Sequence, residues 1–241
     1  MAVTDTTDHA DYIITAALDE RPARLPDHEA ENHALLQLVD RMASGQDAAL
    51  ERVAEQAAAL TRSGSAGISL VETAPGGPLF YCAAVAGLIA GDLDATGSRK
   101  EGPCGLDVGQ HGVVLLKEAA RAFPALDAVG PVMGELLMVP VHLSGRPDGM
   151  LWSIKHDPSD RFDREDVRLL ESLAKFASIA ETQARADAEL RDKEERLRRI
   201  VETARDYAII ITDPNDIITD WFPGAEAIFG WSMAEAVGQP G

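Results

Sequence analysis

Residues 163–206, DREDVRLLESLAKFASIAETQARADAELRDKEERLRRIVETARD, read as one long helix, and the rest of the chain is arranged around its two ends. The stretch holds no Gly and no Pro, so nothing interrupts the backbone ladder. Asp163 is a good N-cap, Asp166 stands three residues on, and Phe162 can staple onto Val167. Acid-before-base pairs at i,i+4 line the polar side: Glu171 with Lys175, Glu181 with Arg185, Asp187 with Arg191, Glu189 with Lys193, Glu194 with Arg198 and Glu195 with Arg199. Each such pair is worth only roughly 0.2–0.5 kcal/mol, but the order of charges is favourable in all of them.

The apolar residues change along this helix. They are dense from Val167 to Ala180, as in a helix lying on a domain, and thin out from Glu181 to Arg196 to Ala184, Ala186, Ala188 and Leu190. Leu197, Ile200, Val201 and Ala204 then resume. A face this poor cannot bury itself in a globule. In steps of 3.5 residues, Leu169, Leu173, Phe176, Ala180, Leu190, Leu197, Val201 and Ala204 share a seam, with Gln183, Asp187 and Glu194 as polar gaps. The pattern predicts a connector that pairs with its copy in a homodimer; a solitary solvated linker helix is the plainer alternative.

The chain has 241 residues, room for one full domain and part of another, and is 46% hydrophobic, enough for a core. Forty acids against 22 bases give a net charge of −18. That balance argues against nucleic acid and anionic membrane, which both select a basic footprint. No apolar run is long enough to span a bilayer. The acidic start MAVTDTTDHADY lacks the basic-then-apolar order of a secretion signal, and two cysteines make no disulfide framework, so a cytoplasmic protein is expected.

Outward from the helix, residues 1–28 carry Pro22 and Pro26 and few apolar residues, and read as a mostly loose segment with at most a short docked turn. Residues 29–43 place Leu35, Leu36, Val39 and Met42 on a helical face, and a second helix to about Arg62 aligns Leu50, Val53, Ala57 and Leu60. SAGISLVE (65–72) and LFYCAAVAG (79–87), joined by Pro75-Gly76-Gly77-Pro78, predict a hairpin. The glycine-rich stretch 88–112 is irregular; VVLLK (113–117) is a short buried strand. ELLMVPVHL (135–143) and MLWSIKH (150–156) flank the turn SGRPDG as a second hairpin, in which Pro140 marks a sheet edge or bulge. Residues 29–180 are therefore an α+β domain, an antiparallel sheet with flanking helices. After the connector, 181–206, a hairpin around Asp213-Pro214-Asn215-Asp216, a short helix ending at Gly230 and a capping box Ser232/Glu235 occupy 207–241. Two strands and two helical turns make no self-contained core, so this segment reads as the start of a truncated domain.

SAGISLVE, the GPCG at 102–105, ELLMVPV with its turn and GMLWSIKHD, and RFDREDVRLLESLAKFAS together resemble a GAF domain of bacterial sensor proteins. Residues 196–238, RLRRIVETARDYAIIITDPNDIITDWFPGAEAIFGWSMAEAVG, resemble the opening of a PAS domain, an incomplete α/β segment. The resemblance implies a sensory and dimerisation module: a small molecule bound by the GAF part, a signal relayed through the helix to the PAS part, and a downstream effector domain in the same polypeptide, such as a histidine kinase. It implies no catalytic core in these residues. In phytochrome-like GAF domains a cysteine near Cys104 bonds a bilin, with a histidine directly after it. Here Gly105 follows, and the nearest histidine is His111.

Among chemistry-bearing residues, Cys104 beside Pro103 is placed as a reactive thiol at a helix start would be, or as a small residue packing a glycine-rich turn. The six histidines show no pairing for a metal, and no phosphate-binding glycine box or nucleophile elbow occurs. Irregular backbone over a sheet is where a small-molecule site forms, and Tyr81, Cys104, His111 and Trp152 are the candidates to line it. A covalent bilin or redox sensor acting through Cys104, and a ligand-free dimerisation scaffold, are the alternatives.

Overall fold

The computed structural model describes residues 9–43, 49–74, 77–89, 96–98, 102–106, 112–124, 126, 131–143 and 146–241. The chain divides into two compact units, Met1–Gln183 and Ala184–Gly241.

In the first unit, a short turn α1 (Ala17–Glu20) precedes α2 (His28–Ala43) and α3 (Ala49–Leu60). The strands are β1 (Ser65–Ala74), β2 (Gly77–Gly87), β3 (Thr96–Ser98) and β4 (Val114–Lys117), then, after the turn α4 (Ala119–Ala122), β5 (Glu135–Leu143) and β6 (Arg146–Lys155). They form an antiparallel sheet in the order β3-β2-β1-β6-β5-β4. The long helix α5 runs Arg164–Thr203. The two predicted hairpins are both present, and the domain is the expected α+β sheet with flanking helices. Pro140 lies beyond Met138, where pairing to β4 ends, so that side of β5 is an edge at the position where proline removes a donor.

Alternation along the strands sends side chains to two cores. Ala66, Ile68, Leu70, Leu137, Val139, Val141 and Leu151 face the helices, meeting Leu38 of α2, Val53 and Ala57 of α3, and Val167, Leu170, Leu173 and Ala177 of α5. Val114, Leu116, Leu136, Met138, Met150, Trp152 and Ile154 face the opposite side, under Ile89, α4, Phe123 and Met133. The inward face of α2 is Ala34 and Leu38 with the expected Leu35 half-buried beside them; Leu36 and Val39, expected on that face, are exposed, and the Met42 side chain lies outside the described residues. The buried row starts one turn earlier, at Glu31, whose carboxylate Arg168 satisfies.

Residues 9–24 are fastened rather than loose. Ile13 bridges Leu116, and Leu18 is buried in the helix-side core. Arg21 Nη1 and Nη2 donate to the Glu135 carboxylate at 2.9 and 2.7 Å. These partners lie far away in the chain, so local composition held no sign of them.

The start of α5 is capped as the sequence predicts. Asp163 Oδ1 accepts the N–H groups of Glu165 (2.8 Å) and Asp166 (3.0 Å), and Asp166 Oδ2 accepts that of Asp163 (3.0 Å). Phe162 and Val167 are both buried in one cluster. The predicted i,i+4 pairs include Glu189–Lys193 at 2.6 Å and Glu195–Arg199 at 3.1 Å, and Arg198 approaches Glu202 at 4.0 Å.

The second unit holds the end of α5, the hairpin β7 (Ile210–Thr212) and β8 (Ile218–Trp221), and the helices α6 (Pro223–Phe229) and α7 (Met233–Ala236). Asp213 Oδ1 ties the hairpin turn by accepting the N–H groups of Asn215 and Ile217, each at 2.9 Å. Gly230 ends α6 in the left-handed conformation, with φ 81°. The Ser232/Glu235 capping box opens α7. Its core is the four residues Ile218, Trp221, Ala225 and Ala236, while Ile228, Phe229, Trp231 and Met233 stay exposed.

Candidate functional site

The sheet face away from the helices carries the chemistry-bearing side chains. Register places Cys82 of β2 opposite Ser69 of β1, and Gly67 of β1 opposite Trp152 of β6. A Cβ on Gly67 would meet the Trp152 ring at 2.3 Å, so the missing side chain lets the indole lie across β1. The indole Nε1–H then donates to Ser69 Oγ at 3.1 Å. Cys104, on a single 3-10 turn (Pro103–Gly105), packs into the same cluster from above.

The Cys82 thiol donates to the Ala84 carbonyl at 3.7 Å, and the Ser69 hydroxyl, which accepts the indole N–H, favours the charged form of both thiols. Desolvation pushes the Cys104 thiol up, and Ser69 offsets part of that. Desolvation, then the neighbouring Cys104, pushes the Cys82 thiol up to about 11. Both sulfurs are therefore held as thiols in an apolar setting that disfavours the reactive thiolate.

The four candidate lining residues do not all meet. Cys104 and Trp152 come together. Tyr81 packs against the opposite, helix-side core, because it neighbours Cys82 on β2 and adjacent residues of a strand face opposite ways. His111 lies outside the described residues. Ser69, which joins the cluster, gave no sequence signal beyond its parity with Gly67 on β1. Among the described residues no group of three or more His, Cys, Asp or Glu could hold a metal ion, and no helix is long and apolar enough to cross a membrane.

The predicted seam of α5 is in two parts. Leu169 and Leu173 are buried within the first unit, so they are core. Phe176, Ala180 and Val201 are half-buried. Leu190 and Leu197 are 57% and 63% exposed, and Ile179 and Ile200 are exposed too.

No family model matches the sequence, and no curated protein does. Solved structures do match. A GAF domain from a phosphoenolpyruvate-protein phosphotransferase of Coxiella burnetii is 18% identical with TM-score 0.53, over 67% of this chain and 99% of that one. A free methionine-R-sulfoxide reductase from Neisseria meningitidis, in complex with its substrate, is 22% identical with TM-score 0.53, over 70% and 97%. The phycoerythrobilin-bound GAF domain of a cyanobacterial phytochrome is 10% identical with TM-score 0.51, over 67% and 99%. The sheet domain of this chain has the GAF fold.

Proposed function

We infer that this chain is the sensory and dimerisation part of a bacterial signal-transduction protein. The GAF-fold domain takes a small molecule without a covalent bond, at the loop-side face around Ser69, Cys104 and Trp152. Helix α5 pairs with its copy and relays the bound state to residues 207–241, the opening of a PAS-like domain. An effector such as a histidine kinase belongs downstream in the same polypeptide. These residues have no catalytic role of their own.

The observation that carries the reading is the single unbroken helix from Arg164 to Thr203, which leaves Leu190 and Leu197 exposed at heptad spacing. A solvated spacer has no use for that apolar residue at every second turn. Two of the similar structures hold a bilin or a substrate, which supports a small molecule as the signal. Protonated thiols in half-buried, apolar settings favour noncovalent binding over a bilin bond or a redox role at Cys104. The exposed Ile228, Phe229, Trp231 and Met233 fit a segment that packs against further strands.

Phase carries the signal in this reading. Inserting one, two or three residues at Ala188 in the full-length polypeptide changes output according to the rotation each insertion imposes. Output indifferent to all three contradicts the relay.

A further inference from the structure

Residues 9–24 cross the sheet domain from its loop-side core to the cap of α5. At one end the His9 ring stacks on Phe123 with centroids 4.4 Å apart, and Tyr12 and Ile13 pack on the loop-side core. The Ile14 N–H donates to the Leu115 carbonyl at 2.8 Å, and Thr15 Oγ1 accepts the Leu115 N–H at 3.1 Å. These bonds cover the free edge of β4. At the other end Arg21 binds Glu135 and donates to the Phe162 carbonyl at 2.8 Å. Arg24 donates to Asp166 Oδ1 at 2.5 Å and to the Leu60 carbonyl at 2.9 Å, and its backbone N–H to Asp163 Oδ2 at 3.0 Å. Asp19 pairs with Arg164. The second set of partners therefore includes both residues that cap α5.

The two ends are joined by Ala16–Glu20, most of which is the turn α1 and whose Leu18 is locked in the core. Little slack lies between them. The Glu135 and Asp166 side chains are 3% and 0% exposed, so withdrawing the arginines leaves Asp166 without a cationic partner and Glu135 with only the longer contact to Arg161.

We propose that residues 9–24 are an intramolecular clasp that couples the loop-side face of the sheet to the first turn of α5. The clasp sets that turn according to how the loop-side core packs. Only the source of the packing change rests on the sensory reading; the coupling itself exists without a ligand.

Amide hydrogen exchange on the unliganded full chain tests it with two mild variants. Thr15→Val removes the acceptor at β4, and Arg24→Lys removes the fork at the α5 cap. The clasp predicts that each variant speeds exchange at both ends, at Leu115 and at Val167–Leu170, by roughly threefold or more. The double variant adds less than the sum of the two, as sites in one unit do. Effects confined to the mutated end, adding in the double variant, overturn the clasp while leaving the sensory reading intact. A chain that binds nothing and stays monomeric would remove that reading while leaving the clasp intact.

Discussion

Arg21 and Glu135 lie 114 residues apart and meet as a two-pronged ion pair, beside the Phe162 N–H that donates to the same carboxylate at 2.9 Å. Glu135 is buried, so its charge depends on these donors. Arg21→Ala is expected to lower the unfolding free energy by about 3 kcal/mol, the low end for breaking a buried pair, because Arg161 remains at 3.4 Å. Urea denaturation measures it. A loss under about 1 kcal/mol would mean the pair behaves as a surface one.

Glu31 gives a pH signature. Its hydrogen bonds to the Arg168 guanidinium hold the carboxyl below its ordinary 4.5. A carboxyl with a lowered folded-state pKa contributes stability that is complete above the unfolded value and lost as pH falls through the folded one. In Glu31→Gln that acid-side loss is absent, so the stability gap between wild type and variant is full well above the ordinary 4.5 and closes as pH falls from there through the lowered folded-state value. A gap constant across that range contradicts the pairing.

The thiols give a chemical one. With Cys82 at about 11, on the order of one thiolate in a thousand is present at pH 8. Iodoacetamide at that pH is expected to leave Cys82 and Cys104 unmodified in the folded chain and to modify both in urea. Fast labelling of Cys104 in the folded chain would restore the reactive-thiol reading.

The seam predicts assembly. Leu190→Glu with Leu197→Glu places two charges where the copies meet, and sedimentation should then report a monomer. Both leucines are exposed within the chain, so the stability of the sheet domain should move by no more than about 0.5 kcal/mol. A dimer that survives both changes places the interface elsewhere.

The legible parts of this fold are those whose cause is local. The hairpins were marked by strand composition on either side of glycine- and proline-rich turns, and the start of α5 by Asp163 and Asp166 three residues apart. What escaped depends on distant partners. Nothing near Arg21 or Arg24 signals Glu135 or Asp166, so the segment that holds both read as loose. The inward face of α2 includes the expected Leu35 but not Leu36 or Val39, because Glu31, a charged residue, begins the buried row and is held by Arg168, far away in the chain. In the site, Cys104 and Trp152 were visible as chemistry. Ser69 was not, because only the pairing of β1 with β2 and β6 sets it opposite Cys82 and within reach of the Trp152 indole. Tyr81 shared a strand with Cys82, and a shift of one residue decides the face.

Native mass spectrometry of the purified full chain tests the sensory account most directly, because it reads pairing and ligand together. The account predicts a dimer carrying the added mass of a small molecule, with the Leu190→Glu, Leu197→Glu variant monomeric. A bare monomer from the unaltered chain would contradict it.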